Sequence, residues 1–129
     1  MGWTRSPVAA QLVTMLTAAT EGSVFVHARP PEIINPMAVV ISRPVSVVYS
    51  AFAIGIDEVS LPVTIAGGIE TEDAVEALKE TCRQAILADS SLSGVVQNCY
   101  PEEERNWRNL TGAGGIQLLL VDLILTITM

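Results

Sequence analysis

Residues 63–80 read VTIAGGIETEDAVEALKE, a run compatible with two architectures. An apolar segment enters Gly67-Gly68, and a helix with an acidic first turn follows. Backbone amides at a helix N-terminus cradle phosphates in such an arrangement, which would make the segment a ligand loop. The competing reading is a joint, in which the glycines let an extended strand turn into a capped helix. Thr71 is the expected cap, and Glu72 and Asp73 match the positive end of the helix dipole. Those carboxylates complete the helix end from within the chain and would repel a phosphate, so the joint is the expected reading.

Bulk properties set the frame around it. The 129 residues amount to one domain, long enough to bury about two-thirds of the surface of the unfolded chain. Half the residues are hydrophobic and only 16% are charged, and such spare apolar surface points to a partner. Seven basic residues face fourteen acidic ones, for a net charge of -7. Arg5, Arg29, Arg43, Lys79, Arg83, Arg105 and Arg108 are scattered along the sequence, which argues against tight binding of nucleic acid. An acidic surface still suits a wall past which a polyanion slides without sticking.

The longest apolar run, IQLLLVDLILTITM (116–129), contains Gln117 and Asp122 and is shorter than the roughly 18–20 residues that span a bilayer. It reads as a strand, and no membrane association is expected. Cys82 and Cys99 make no CxxC pair, and His27 completes no familiar metal set with them, so free thiols are expected.

Ser6-Pro7 reads as a cap followed by proline at the first helical position, with Val8, Leu12, Met15, Leu16 and Ala19 at helical spacing behind it. That helix is expected to end near Glu21-Gly22. SVFVHAR (23–29) and AVVI (38–41) are short β-branched strands, stopped by Pro30-Pro31 and Arg43-Pro44. VSVVYSAFAIGID (45–57) and VSLPVTIA (59–66) suggest a long antiparallel hairpin with Asp57-Glu58 at its tip. Pro62 cannot donate a ladder hydrogen bond, so its arm is expected at an edge or a bulge, open to another subunit. Val75, Leu78, Cys82, Ala85 and Ile86 form the buried stripe of the second helix, while Glu76, Lys79, Glu80 and Arg83 face water. VVQNCY (95–100) gives a further strand and 101–115 a polar loop. The last strand is apolar on both faces, so it is expected centrally, with helices on one side and another copy of the chain on the other. The elements add up to a single α+β domain, 1–129, with a mostly antiparallel sheet, a long hairpin and two helices packed on one face.

Chemical signals are sparse. Ile65 to Ile69 followed by Thr71 and Glu72 looks like the phosphate-gripping turn late in some (β/α) barrels, but such barrels need about 200–250 residues and an alternating strand–helix rhythm absent here. His27 lacks a nucleophile arrangement around it. Asp57 and Glu58 are expected to solvate the hairpin tip, and Glu102, Glu103 and Glu104 a loop. Trp107, between Arg105 and Arg108, has the composition of an interface anchor, with a tryptophan folded over the core as its alternative. No catalytic residue, metal or cofactor is expected.

Taken in order, the pieces resemble the tail terminator proteins of long-tailed bacteriophages with non-contractile tails. The resembling features are the N-terminal helix, VFVHARPPEIINP, Val48-Tyr49-Ser50 leading to Ile56-Asp57, the helix AVEALKETCRQAIL, the exit Ala88-Asp89-Ser90-Ser91-Leu92-Ser93-Gly94 and the long apolar final strand. The likeness runs from about residue 6 to the end, and neck and connector proteins of the same phages share part of it. It implies a non-enzymatic virion protein, assembled in the host cytoplasm, whose copies form a ring, generally a hexamer. One face would cap the tail tube protein and the other would dock the head connector, while genomic DNA crosses the lumen without specific binding. Residues expected at subunit or axial contacts are Pro62, Asp57, Glu58, Glu102, Glu103, Arg105, Trp107 and Arg108.

Overall fold

In the computed structural model, which describes residues 3–50 and 56–129, two helices and six strands follow the apolar segments. Their order is α1 (Arg5–Ala19), β1 (Phe25–His27), β2 (Ala38–Ile41), β3 (Ser46–Val48), β4 (Glu58–Gly68), α2 (Glu72–Ala88), β5 (Asn98–Thr111) and β6 (Gln117–Thr128). The fold is α+β, with one sheet in the order β1-β2-β4-β6-β5 and β3 pairing β4 beyond the end of β2. Every pairing is antiparallel except β1 with β2.

Both helices lie on one face. Val8, Leu12 and Leu16 of α1 and Val75, Cys82 and Ile86 of α2 share one buried cluster with Val59, Leu61, Val63 and Ile65 of β4. Alternate residues of β6, from Leu119 to Ile127, complete it, as the two-residue period of a strand requires. Burial lifts the thiols of Cys82 and Cys99 to about 12, so both are packing groups at neutral pH.

Several expectations change. Pro62 lies in no edge strand. It is buried in β4, the strand between β2 and β6, opposite Ile124. The missing donor is handled locally. Pro62 accepts from the Ser42 amide at 3.1 Å, and the Ser42 carbonyl takes a guanidinium hydrogen bond from Arg5 at 3.4 Å. The hairpin of β3 and β4 forms, but its first arm is three residues long, and residues 51–55 of the expected arm lie outside the described residues. The long hairpin is β5–β6 instead.

Nor does the second face of β6 await another copy along its length. Leu118 and Leu120 pack with Ala66 and Ile34, and Ile124 is buried too, so the 28–37 connection covers part of that face. Neither helix has the expected hydroxyl cap. The first starts at Arg5 with Thr4 at the cap position, and the Thr71 hydroxyl turns back to the Gly68 carbonyl at 2.8 Å. Pro7 sits in the first turn of α1, where an absent N–H leaves no helical bond unmade.

Candidate functional site

Glu102, Glu103, Arg105, Trp107 and Arg108, expected in a loop, all belong to β5, a strand of 14 residues paired on one side to β6. No strand pairs its other side among the described residues. A charged segment forms a strand here because β6 supplies a long partner, and charge is tolerated where both faces meet water. Exposure of nearly every residue from Glu102 to Thr111 fits this. Register shifts between Pro101 and Glu103 and between Arg105 and Arg108 bulge the strand. Proline, charge and bulges together disfavour addition of a further strand, so this edge presents side chains rather than backbone.

The second bulge builds a polar network. Asn106 adopts a φ of 60° and donates to Asp122 Oδ2 at 3.2 Å. Arg108 Nη1 lies 3.2 Å from Asp122 Oδ1, which also accepts from the Thr64 hydroxyl at 2.8 Å. Ser42 Oγ, 3.3 Å from Thr64 Oγ1, extends the line. Asp122 is buried in the middle of an otherwise apolar strand, opposite Thr64 in the pairing of β4 with β6. In the sequence it stands only as an interruption of an apolar run; the signal was a lone carboxylate in a strand destined for the centre.

Trp107 is tied down at one end. Its indole N–H donates to Glu104 Oε2 at 2.9 Å, while Glu104 Oε1 accepts from Lys79 Nζ at 2.7 Å. Lys79 reaches Glu76 as well, at 3.0 Å. It was expected to face water, yet its side chain is 8% exposed: the two carboxylates let it cross between α2 and β5. Burial lowers its affinity for the proton, but these partners outweigh that and hold it above the ordinary lysine value. The Lys79 and Trp107 hydrogen bonds hold Glu104 below the usual carboxylate range. Trp107 still leaves 37% of itself exposed, and exposed Tyr100 and Leu110 lie on the same strand.

Asp57 is no solvated tip. Its carboxylate accepts from the Ser50 and Trp3 amides, each at 3.0 Å, and these bonds depress its pKa. Its backbone exchanges two hydrogen bonds with Met129, of 2.9 and 3.0 Å. It therefore joins both ends of the described chain, while Glu58 stays exposed on β4 opposite Val48 and Thr128.

A shallow cleft of about 380 Å³ lies beside Gly68, Ile69, Glu70, Thr71 and Gln117, but Gly67 takes no part in it. Gly67 is buried in β4, and a Cβ there would stand 2.4 Å from Val75 Cγ2 and 2.7 Å from Met37 Sδ. Its glycine serves close packing of α2 against the strand. No cluster of His, Cys, Asp and Glu able to hold a metal exists among the described residues, and no helix among them is long and apolar enough to cross a membrane. In comparison with known proteins, no family model matches the chain and no curated protein matches it significantly.

Proposed function

We propose that the chain is a structural ring subunit of a phage tail, acting as a tail terminator at the head-proximal end of the tube. The alternative station within the same class is another neck or head–tail connector protein. The observation that carries the reading is the outer edge of β5, where exposed Tyr100, Trp107 and Leu110 are spaced among Glu102, Glu103, Arg105 and Arg108. Aromatic anchors set among charges are the composition of a protein–protein contact. The order of helix, strands, helix and long apolar final strand supports the same class.

On this reading the partners are further copies of the chain, six in a ring, the tail tube protein and the head connector. The protein carries out no catalysis and needs no cofactor, it resides in the virion after assembly in the host cytoplasm, and its acidic balance lets DNA pass the lumen. Native mass spectrometry with negative-stain imaging, with and without tail tubes, is the test. Rings support the proposal, and a monomer under both conditions refutes it. A phosphate-binding domain built on Gly67-Gly68 is disfavoured by the packing of Gly67 and the acids Glu72 and Asp73.

A further inference from the structure

The basic side chains divide into two groups. Lys79 pairs with Glu76 and Glu104, Arg83 with Glu80, Arg105 with Glu103 and Arg108 with Asp122. Arg5, Arg29 and Arg43 form no ion pair among the described residues, although the chain carries fourteen acids. These three, far apart in sequence, come together in space. Arg5 opens α1, Arg29 follows β1 and Arg43 follows β2, and the parallel pairing of β1 with β2 brings both strand ends beside the start of α1. With Ser6 and Pro30 they line an open cleft of about 650 Å³.

Arg5 is fixed in place without being neutralised. Its Nη2 donates to the carbonyls of Ala28, Ile41 and Ser42, the last two at 2.7 and 3.4 Å. Carbonyls are neutral, so the charge remains, and the Arg5 Nε is buried with no hydrogen-bond partner. Burial, then the like charges of Arg29 and Arg43, hold Arg5 below the ordinary arginine value, which places the guanidinium groups within each other's field. The first turn of α1 has no acid, in contrast to α2 with Glu72 and Asp73, and its cap residue Thr4 makes no side-chain cap hydrogen bond. Among the described residues, no carboxylate pairs with any of these three arginines.

We propose that the cleft of Arg5, Arg29 and Arg43 is a binding site for a small oxyanion of the phosphate class, free or carried as a monoester. Guanidinium forks match the oxygens of a phosphate in paired hydrogen bonds, and a tetrahedral anion offers enough acceptors for several forks at once. A nucleic-acid strand fits poorly, because its phosphates need a track of Lys and Arg side chains, and the other basic residues are already paired with carboxylates on an acidic chain. The inference stands apart from the ring assignment and holds for either oligomeric state.

Calorimetric titration with inorganic phosphate and with glycerol phosphate, in chloride buffer at constant ionic strength, tests it. Saturable binding at one site per chain is expected, with each of Arg29→Gln and Arg43→Gln weakening it roughly tenfold or more. A tighter response to glycerol phosphate identifies a monoester as the preferred source, and equal responses identify the free ion; both support the site. Arg5 is left intact because it also clamps the strand ends, whereas the glutamine variants should keep the wild-type melting temperature in chloride. Absence of saturable binding by the wild type overturns the proposal, as does unchanged affinity in the double variant. Tighter capture of a DNA oligonucleotide than of phosphate also overturns it, as does loss of self-association in the double variant without any phosphate response, which would assign the cleft to carboxylates of a second copy.

Discussion

Removing the Asp122 carboxylate should destabilise the fold by an amount that its partners set. In Asp122→Leu, Thr64 loses the acceptor 2.8 Å away and its hydroxyl stays buried. Its remaining partner, Ser42 Oγ at 3.3 Å, is a weaker one than the lost carboxylate, so the change costs about 1–3 kcal/mol. The half-buried Asn106 bond contributes about 1 kcal/mol more. Arg108, 42% exposed, can turn to water, so its loss adds at most about 1 kcal/mol. The total is about 2–5 kcal/mol, read as a lower urea midpoint with an unchanged slope at fixed protein concentration. Thr64→Val alone should cost about 1–2 kcal/mol, since the carboxylate keeps Asn106 and Arg108. Replacing both partners removes the weakly partnered hydroxyl, and Leu120 and Ile124 offer apolar neighbours, so the double variant should be clearly less destabilised than the sum of the singles. Additive single effects, or an Asp122→Leu change within about 0.5 kcal/mol, would refute the buried network as a stabilising unit.

Lys79→Met should cost only about 1–2 kcal/mol in urea unfolding, because the freed Glu76 and Glu104 carboxylates are 48% and 40% exposed and can hydrate; a loss above about 4 kcal/mol would mean the ion pairs are more deeply buried than they look. Asp57 has a folded-state pKa below its unfolded value of about 4, so the unfolded chain binds more protons and the stability Asp57 contributes is full above that value and lost as pH falls through the lower folded one. Acid titration of Asp57→Asn should therefore show a shallower loss of stability below about pH 4, and an acid limb identical to wild type would contradict the assignment. Gly67→Ala should destabilise by about 1–3 kcal/mol through contact with Val75 and Met37, while Gly68→Ala, with Thr71 Oγ1 at 3.5 Å, should stay within about 0.5 kcal/mol; equal effects would count against the packing role of Gly67. Trp107→Ala should abolish ring assembly seen by native mass spectrometry while lowering the melting temperature little, whereas an unfolded product would assign Trp107 to the core.

What could be read ahead of the structure was whatever alternates between apolar and polar at a regular period. Val75, Leu78, Cys82 and Ile86 recur at helical spacing, and that stripe is buried. Both faces of β6 are apolar, and β6 lies inside the sheet between β4 and β5. Groups whose behaviour is set by a partner distant in sequence were illegible. Pro62 points to an edge only while nothing else can use the Ser42 carbonyl, and Arg5, 57 residues away in the sequence, does so. Lys79 reads as a solvent-facing lysine until Glu104 arrives from β5, and β5 itself reads as a loop because it has no apolar alternation.

The same blindness hid the cleft lined by Arg5, Arg29 and Arg43. Along the chain Arg5, Arg29 and Arg43 are isolated and show no cluster; the parallel pairing of β1 with β2 brings them to one cleft. Gly67-Gly68, by contrast, carries the local pattern of a phosphate loop and lacks its electrostatics, since Glu72 and Asp73 occupy the helix end. Anion binding depends on the sum of charges within a Debye length, about 8–10 Å, rather than on a motif. In this chain that sum is unfavourable at the start of α2 and favourable at the start of α1, where no acid in the first turn opposes three arginines.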